Sequence, residues 1–368
     1  MFEFRNKKVA EKLISKLREN DKPIRLMHVC GTHQDTIVRY GLQDLLSSCN
    51  IDVRQGPGCP VCVTTTREVE EAVTLAEKGK VITTYGDMTQ VPGIRNSLQG
   101  IRACGGEVYA VYSVEDAVEL ARNKKGREIV FMAVGFETTA PTTAAAILSK
   151  PPDNFSILCC HRTIPPAVEA LLGLGEIKID GFIEPGHVST IIGVKPYREI
   201  EKKHKVPQVI AGFEPLDVLT AVLMLVSQIK NNKTTVENEY IRSVKEEGNT
   251  KALSIMKKVF KEEDISWRGF PVIPRSGLML REEFDEYDAR KRFEDELESI
   301  QDVDGKTSGC RCDEVLRGVI TSKECSLFGK TCTPDHPVGP CMVSREGSCY
   351  IEYRYKKRLQ KTEIETNR

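Results

Sequence analysis

From residue 24 to about 230, short apolar runs alternate with segments in which apolar side chains recur every three or four positions. The runs Ile24–Cys30, Val81–Tyr85, Glu107–Tyr112, Glu128–Val134, Phe155–Cys160, Ile179–Ile183 and Gln208–Ala211 read as strands. Helical periodicity begins near Thr32, Thr65, Ser113, Ala140, Pro165, Pro196 and Leu216. Thr65 and Glu68 form a capping-box pattern, followed by an apolar stripe of Val69, Ala72, Val73 and Ala76. Alternation of strand and helix implies parallel sheets covered by helices, so the fold class expected is α/β.

Two such domains are expected, because Gly135-Phe-Glu137 and Gly212-Phe-Glu214 each follow an apolar run and precede a helix. The divisions expected are residues 1–135, 136–265 and a C-terminal region 266–368. The Lys-, Asn- and Glu-rich stretch 231–265 predicts exposed helices. Residues 269–274 predict an extended segment and Phe284–Phe293 a charged helix. Residues 305–350 are rich in glycine, proline and cysteine and poor in large apolar residues. Such a segment can hardly bury a core of its own, so a metal centre is expected to organise it.

A chain of 368 residues is long enough for two or three domains with cores of their own. Its 53 basic and 53 acidic side chains cancel, which removes the global field that would favour nucleic acid or an anionic membrane. Met1–Asn20 lacks the uninterrupted apolar stretch of a signal peptide, and Ala221–Val226 is far short of the roughly twenty residues of a membrane span. The expectation is a soluble, cytoplasmic protein with no nucleic acid and no membrane as partner. Thiols are normally reduced in that compartment, so clustered cysteines point to ligands or redox catalysts.

Six of the thirteen cysteines, Cys310, Cys312, Cys325, Cys332, Cys341 and Cys349, are separated by one, twelve, six, eight and seven residues. That spacing is neither a compact ferredoxin run nor the paired CxxC of a zinc ribbon. Zinc and a four-iron cluster would each take four, and the spare two could form a neighbouring redox pair; iron–sulfur is the preferred reading. His336, a lone loop histidine among them, reads as solvated. Cys59-Pro-Val-Cys62, just before a helix, suits a dithiol that opens and closes, and the flanking Pro57 and Pro60 suit one presented on a stiff loop. Cys30-Gly-Thr-His33 follows a strand, where a thiol with a nearby histidine can be a nucleophile or a soft metal ligand. Asp87, Glu137, Glu184, His187 and Glu214 also fall at strand ends and could line one cleft. Cys49, Cys104, Cys159 and Cys160 read as structural.

Taken together, Cys30-Gly-Thr-His-Gln, Gly56-Pro-Gly-Cys-Pro-Val-Cys62, Gly135-Phe-Glu-Thr-Thr-Ala-Pro141, Glu184-Pro-Gly-His-Val188 and the Cys310-x-Cys312 tail resemble the HypD family, maturation factors for nickel–iron hydrogenases. The resemblance spans essentially the whole chain. It implies two α/β domains facing a cleft and a small C-terminal region with a [4Fe–4S] cluster beside a thiol pair, similar to ferredoxin:thioredoxin reductase. It also implies work with a small chaperone, HypC, and a cyanide donor, HypE, on the Fe(CN)2CO unit. By that resemblance Cys30 would hold the iron being assembled, jointly with a chaperone thiol and with His33 beside it. Cys59 and Cys62 would be the redox dithiol, and four of the six tail cysteines would hold the cluster, Cys341 being the weakest candidate. Such a protein is a metallocentre-assembly scaffold rather than a turnover enzyme. Two other readings compete: a cluster-fed reductase of general disulfides, and a zinc-stapled binding module with an inert CxxC.

Overall fold

The computed structural model describes residues 5–300 and 309–355; the start of the expected cysteine-rich segment, residues 305–308, lies outside them. Its strands are β1 (Ile24–His28), β2 (Ile51–Gln55), β3 (Val81–Tyr85), β4 (Val108–Val111), β5 (Ile129–Gly135), β6 (Phe155–His161), β7 (Gly181–Pro185), β8 (Gln208–Ala211), β9 (Val236–Asn238), β10 (Phe260–Ser266) and β11 (Val272–Leu280). Two parallel sheets result, five-stranded in the order β2-β1-β7-β8-β9 and four-stranded in the order β4-β3-β5-β6. The pairing is parallel throughout both. The α/β class expected from the periodicity is therefore observed.

Alternate residues of β5 and β6 enter different cores. Val130, Met132, Val134 and Leu158 face one, while Ile129, Phe131, Ala133 and Ile157 face another. Both faces of these strands are covered, which is why they read as unbroken apolar runs. The first core also takes Met27, Val29 and Phe182 from the five-stranded sheet, and Leu316, Met342, Cys312, Cys332, Cys341 and Cys349 from the tail. The tail thus does not depend on a metal alone for its organisation: its few apolar side chains complete a core shared by both sheets.

The sheets are interleaved along the chain. β1 and β2 are followed by the whole four-stranded sheet before β7, β8 and β9 complete the first one. The boundary expected at 135/136 falls at the end of β5, between two strands that pair over seven residues. β2 was not expected, because Ile51-Asp-Val-Arg-Gln55 alternates polar and apolar residues on a sheet edge, where Asp52 pairs with Arg25 and Arg54. The stretch 231–265 holds β9, the helix Thr250–Val259 and most of β10, which forms an antiparallel hairpin with β11. Charge concealed β10: after the buried Phe260 its residues alternate half-buried and exposed from Lys261 to Ser266. The expected helix Phe284–Phe293 breaks into a 3-10 turn, Glu282–Tyr287, and a short helix, Ala289–Arg292, capped by Asp288. Among the described residues no helix is long and apolar enough to cross a membrane.

Each sheet reverses its strand order once, between β1 and β7 and between β3 and β5. Such reversals open a crevice outside the carboxyl ends of the strands, and ligands bind there. Here both crevices open into one cleft, with Cys30, Pro185 and His187 on one side and Asp87, Gly135 and Phe136 on the other.

Candidate functional site

Cys30 takes extended backbone (φ −151°, ψ 130°) as the N-cap of the helix Gly31–Arg39. The glycines around it are there for close approach. A Cβ on Gly58 would lie 2.2 Å from the Cys30 nitrogen, and one on Gly31 would lie 2.5 Å from Glu346 Cβ. Gly31 N–H donates to Gly58 O at 3.2 Å and Gly56 N–H to His28 O at 2.8 Å. The first cysteine motif, the CxxC loop and the C-terminal tail are thus in backbone contact at one point.

The cleft there has a volume of about 880 Å3 and is closed on one side by Ser344, Arg345 and Glu346 of the tail. Asp87 secures that side: its Oδ2 accepts from Arg345 N–H at 3.0 Å and Ser344 O–H at 3.3 Å. Cys30 is 8 % exposed. Burial, then the Glu346 charge, pushes its thiol up to about 11, against the opposing pull of the His33 and Thr32 N–H groups. It rests as a thiol, and a soft metal would bind it by displacing the proton.

His33 is fully buried, with Nε2 2.9 Å from Gly212 O and 3.3 Å from Ala211 O. Two carbonyl partners assign the proton to Nε2, leaving Nδ1 as a buried acceptor with no hydrogen-bond partner. Burial and the neighbouring His28 lower its pKa to about 3, so the ring is neutral. It stacks on Phe213 (4.9 Å), which stacks on His187 (3.7 Å), and His187 lines the cleft.

Three expected cleft residues are not among its lining. Glu137 turns inward and accepts from Ile164 N–H at 2.9 Å, and burial raises it to about 7. Glu184 is wholly buried, neither carboxylate oxygen has a hydrogen-bond partner, and burial raises it to about 8. Glu214 follows β8, away from the strand-order reversal, and pairs with Arg5 at 2.5 Å.

Cys59 and Cys62 are joined in a disulfide (Cα–Cα 5.2 Å) across the four-residue helix Pro60–Val63. The expectation of a pair presented on a loop is not met: both cysteines are 0 % exposed, and it is Pro60 and Val61 that line the cleft. The Cys62 sulfur lies instead 3.9 Å from Pro340 O, at the start of the helix Pro340–Val343 that carries Cys341.

In the tail, Cys310 Sγ is 3.3 Å from Cys312 Sγ, Cys341 is close enough to Cys312 for the two thiols to influence each other, and Val338 N–H donates to Cys332 Sγ at 3.3 Å. The hydrogen bond to Cys312, then burial, raises both Cys310 and Cys341; burial raises Cys332. A Cβ on Gly339 would lie 2.5 Å from Cys310 Sγ and 2.8 Å from Cys312 Sγ. Cys325 is half-buried, and the His336 N–H donates to Thr333 O at 3.1 Å and Thr333 Oγ1 at 3.3 Å. Among the described residues no three His, Cys, Asp or Glu side chains stand where one metal ion could bridge them. A four-iron cluster spreads its thiolates around a larger body, and a thiol-rich wall with a glycine at its centre fits that donor set.

Residues 6–356 match the HypD family model, described as the Hydrogenase formation hypA family. The chain belongs to the HypD family. A protein of Methanocaldococcus jannaschii named for hydrogenase expression and formation is 49 % identical over 355 residues, 95 % of this chain and 97 % of the relative. The hydrogenase maturation factors HypD2 of Bradyrhizobium diazoefficiens and HypD of Cupriavidus necator are 43 % and 40 % identical, each over 96 % of both chains.

In this HypD-family chain the structure adds residues that the motifs did not single out. His28 pairs with Gln34 (Nε2 to Oε1, 2.9 Å) beneath His33. Glu346 sits between two tail cysteines, in a Ser-Arg-Glu-Gly stretch that reads as an ordinary turn. Arg268, in no motif, reaches the CxxC segment from 202 to 205 positions away. Nothing in the local pattern marks any of the three.

Proposed function

We propose that this chain is a hydrogenase maturation factor that holds iron at Cys30 while the Fe(CN)2CO unit is built on it. A small HypC-type chaperone supplies a second thiol, and a HypE-type partner supplies cyanide. One observation carries the reading: Cys30 lines a cleft whose wall also takes Pro60 and Val61 of the CxxC loop and Ser344–Glu346 of the tail, three segments far apart in sequence.

The iron is cargo. Cys30 loses its proton on binding it, and low-spin iron carrying cyanide and carbon monoxide suits a soft thiolate. The buried ring of His33, fixed by its carbonyl partners, stays neutral and adds no charge near the helix start that Cys30 caps. Releasing cyanide from a thiocyanate on the donor takes two electrons and one proton. The S–C bond breaks, giving the donor thiol and cyanide. Oxidising the Cys59 and Cys62 thiols to the disulfide supplies the two electrons. Cys341, next in the chain to the Pro340 that Cys62 faces, is the natural neighbour to attack that disulfide; resolution of the mixed disulfide by Cys312 leaves Cys59 and Cys62 as thiols and a Cys312–Cys341 disulfide that takes two electrons to reopen. That reading leaves Cys310, Cys325, Cys332 and Cys349 as the ligand set for a [4Fe–4S] cluster, which when bound supplies electrons singly.

Anaerobic iron and acid-labile sulfide determination tests the cluster; zinc without sulfide overturns it. Serine at Cys312 or Cys341 is expected to leave iron and sulfide in place, whereas serine at Cys310, Cys325, Cys332 or Cys349 removes them. Infrared spectra of the chain with its chaperone should show cyanide and carbonyl bands, and full-intensity bands in Cys30→Ala overturn the anchoring role. Burial of the pair argues against a general disulfide reductase, which must offer a sulfur to varied substrates.

A further inference from the structure

Arg268 occupies the seam between the CxxC segment and the cysteine tail. Its backbone N–H donates to Val63 O at 2.8 Å, its Nε to Thr64 O at 2.8 Å and its Nη1 to Thr66 Oγ1 at 3.0 Å. These groups follow Cys62 directly in the chain. Nη2 is shielded from solvent and has no hydrogen-bond partner. On its other side, Gly269 packs so closely on Asp313 that a Cβ there would lie 2.5 Å from Asp313 Cβ, which brings the arginine beside Cys312. The Cys312 and Cys341 thiols, the Glu68 carboxylate and the Cys310 thiol lie within electrostatic reach of the guanidinium, which burial otherwise disfavours. Among the described residues no carboxylate lies within ion-pair distance of it, unlike Arg162 and Arg290, which are paired with Glu68 and Glu71.

A guanidinium does not shed its charge, and burying it without a counter-ion is costly. While Cys59 and Cys62 are joined, the pair, whose second cysteine is two residues before the Thr64 carbonyl that Nε holds, is neutral. Opening the S–S bond takes two electrons and leaves two sulfurs, each of which takes a proton from solvent or stays a thiolate. A thiolate there adds a negative charge to that of the more distant Glu68, which acts on the guanidinium only through space. We propose that Arg268 is a positioning residue for electron delivery, its fixed positive charge stabilising the reduced Cys59/Cys62 pair and so raising that pair's reduction potential. The inference rests on the redox reading of the pair given above.

The test uses the full chain under anaerobic conditions, equilibrated with mixtures of reduced and oxidised dithiothreitol. Dithiothreitol gives up the two electrons and leaves as its cyclic disulfide. Trapping with an alkylating reagent and peptide mass analysis then give the fraction of Cys59 and Cys62 that is open. Arg268→Gln, which removes the charge but keeps an amide donor, should need about a tenfold higher ratio of reduced to oxidised reagent for half-opening, equivalent to about 30 mV. Arg268→Lys and Thr66→Val, which keep the charge, should stay within about twofold of the parent. An unchanged midpoint in Arg268→Gln overturns the inference while leaving the redox reading intact. So does a Thr66→Val or Arg268→Lys midpoint displaced as far as that of Arg268→Gln, because the hydrogen bonds would then be the cause. A parent pair that stays closed at every ratio overturns the redox reading and this inference with it.

Discussion

The cysteines of this chain live in two unlike settings. Cys30, Cys59 and Cys62 sit where parallel strands end, held by backbone-to-backbone contacts between two glycine-flanked motifs. The tail cysteines sit in short helices and turns, held by a shared apolar core and by each other. In the first setting position is dictated by strands that would be there without the sulfurs. In the second the sulfurs are a large part of what is packed. The difference teaches that damage to the first should propagate through the fold, while damage to the second should stay local and show in metal content.

The strongest way to break that contrast is Gly58→Ala. Its new Cβ would meet the backbone of Val29 and Cys30 at 2.2 Å, where no flexible side chain can yield. Overpacking against backbone costs about 3 kcal/mol or more, read as a lower denaturant midpoint for the whole chain. A stability equal to the parent's would show that the two motifs are not locked as described.

Gly339→Ala is the counterpart in the tail. The added methyl would collide with Cys310 and Cys312 sulfurs. On the proposed cluster reading most iron and sulfide should be lost, while stability of the metal-free chain changes by about 1 kcal/mol or less. Retained iron with a large loss of stability would reverse the comparison.

Glu184→Gln sharpens the first setting through pH. The buried carboxyl has its folded pKa raised from 4.5 to about 8, so the folded state holds a proton that the unfolded chain releases earlier. Its contribution is complete below pH 4.5 and is lost as pH rises through 8. The amide has nothing to release, so the variant should match the parent near pH 4.5 and exceed it by about 2–4 kcal/mol at pH 9. Parallel pH profiles would show that Glu184 finds a partner in solution.

The smallest effect belongs to the seam. Ser344→Ala removes one donor to Asp87 and leaves the Arg345 N–H in place. About 0.5–1 kcal/mol should be lost, seen as earlier hydrogen exchange in residues 340–347 before any change elsewhere.

Much of the fold was legible because the parallel strands are buried on both faces and the helix starts carry caps. Thr65 with Glu68 and Ser113 with Asp116 both form capping boxes where helices begin. Edge and hairpin strands were not legible, since Asp52, Arg54 and the glutamates of β10 satisfy themselves at the surface and erase the apolar signal. In the candidate site, the cysteine motifs were legible from residue type and spacing. The roles of the carboxylates were not: Asp87, Glu137, Glu184 and Glu214 look alike in sequence, and only side-chain direction and strand order separate a residue that fastens the tail from two that are buried and one that faces Arg5.

The amino-acid sequence by itself determined the α/β class, the helix starts and the cysteine motifs that carry the family resemblance, because periodicity, caps and spacing are local properties. Tertiary structure alone decided that the CxxC pair is buried, that Cys62 faces Pro340 across 278 positions, and that Arg268 lies between pair and tail. Those facts depend on where two sheets reverse their strand order and on which surfaces their shared core draws together, and no stretch of chain carries that information locally.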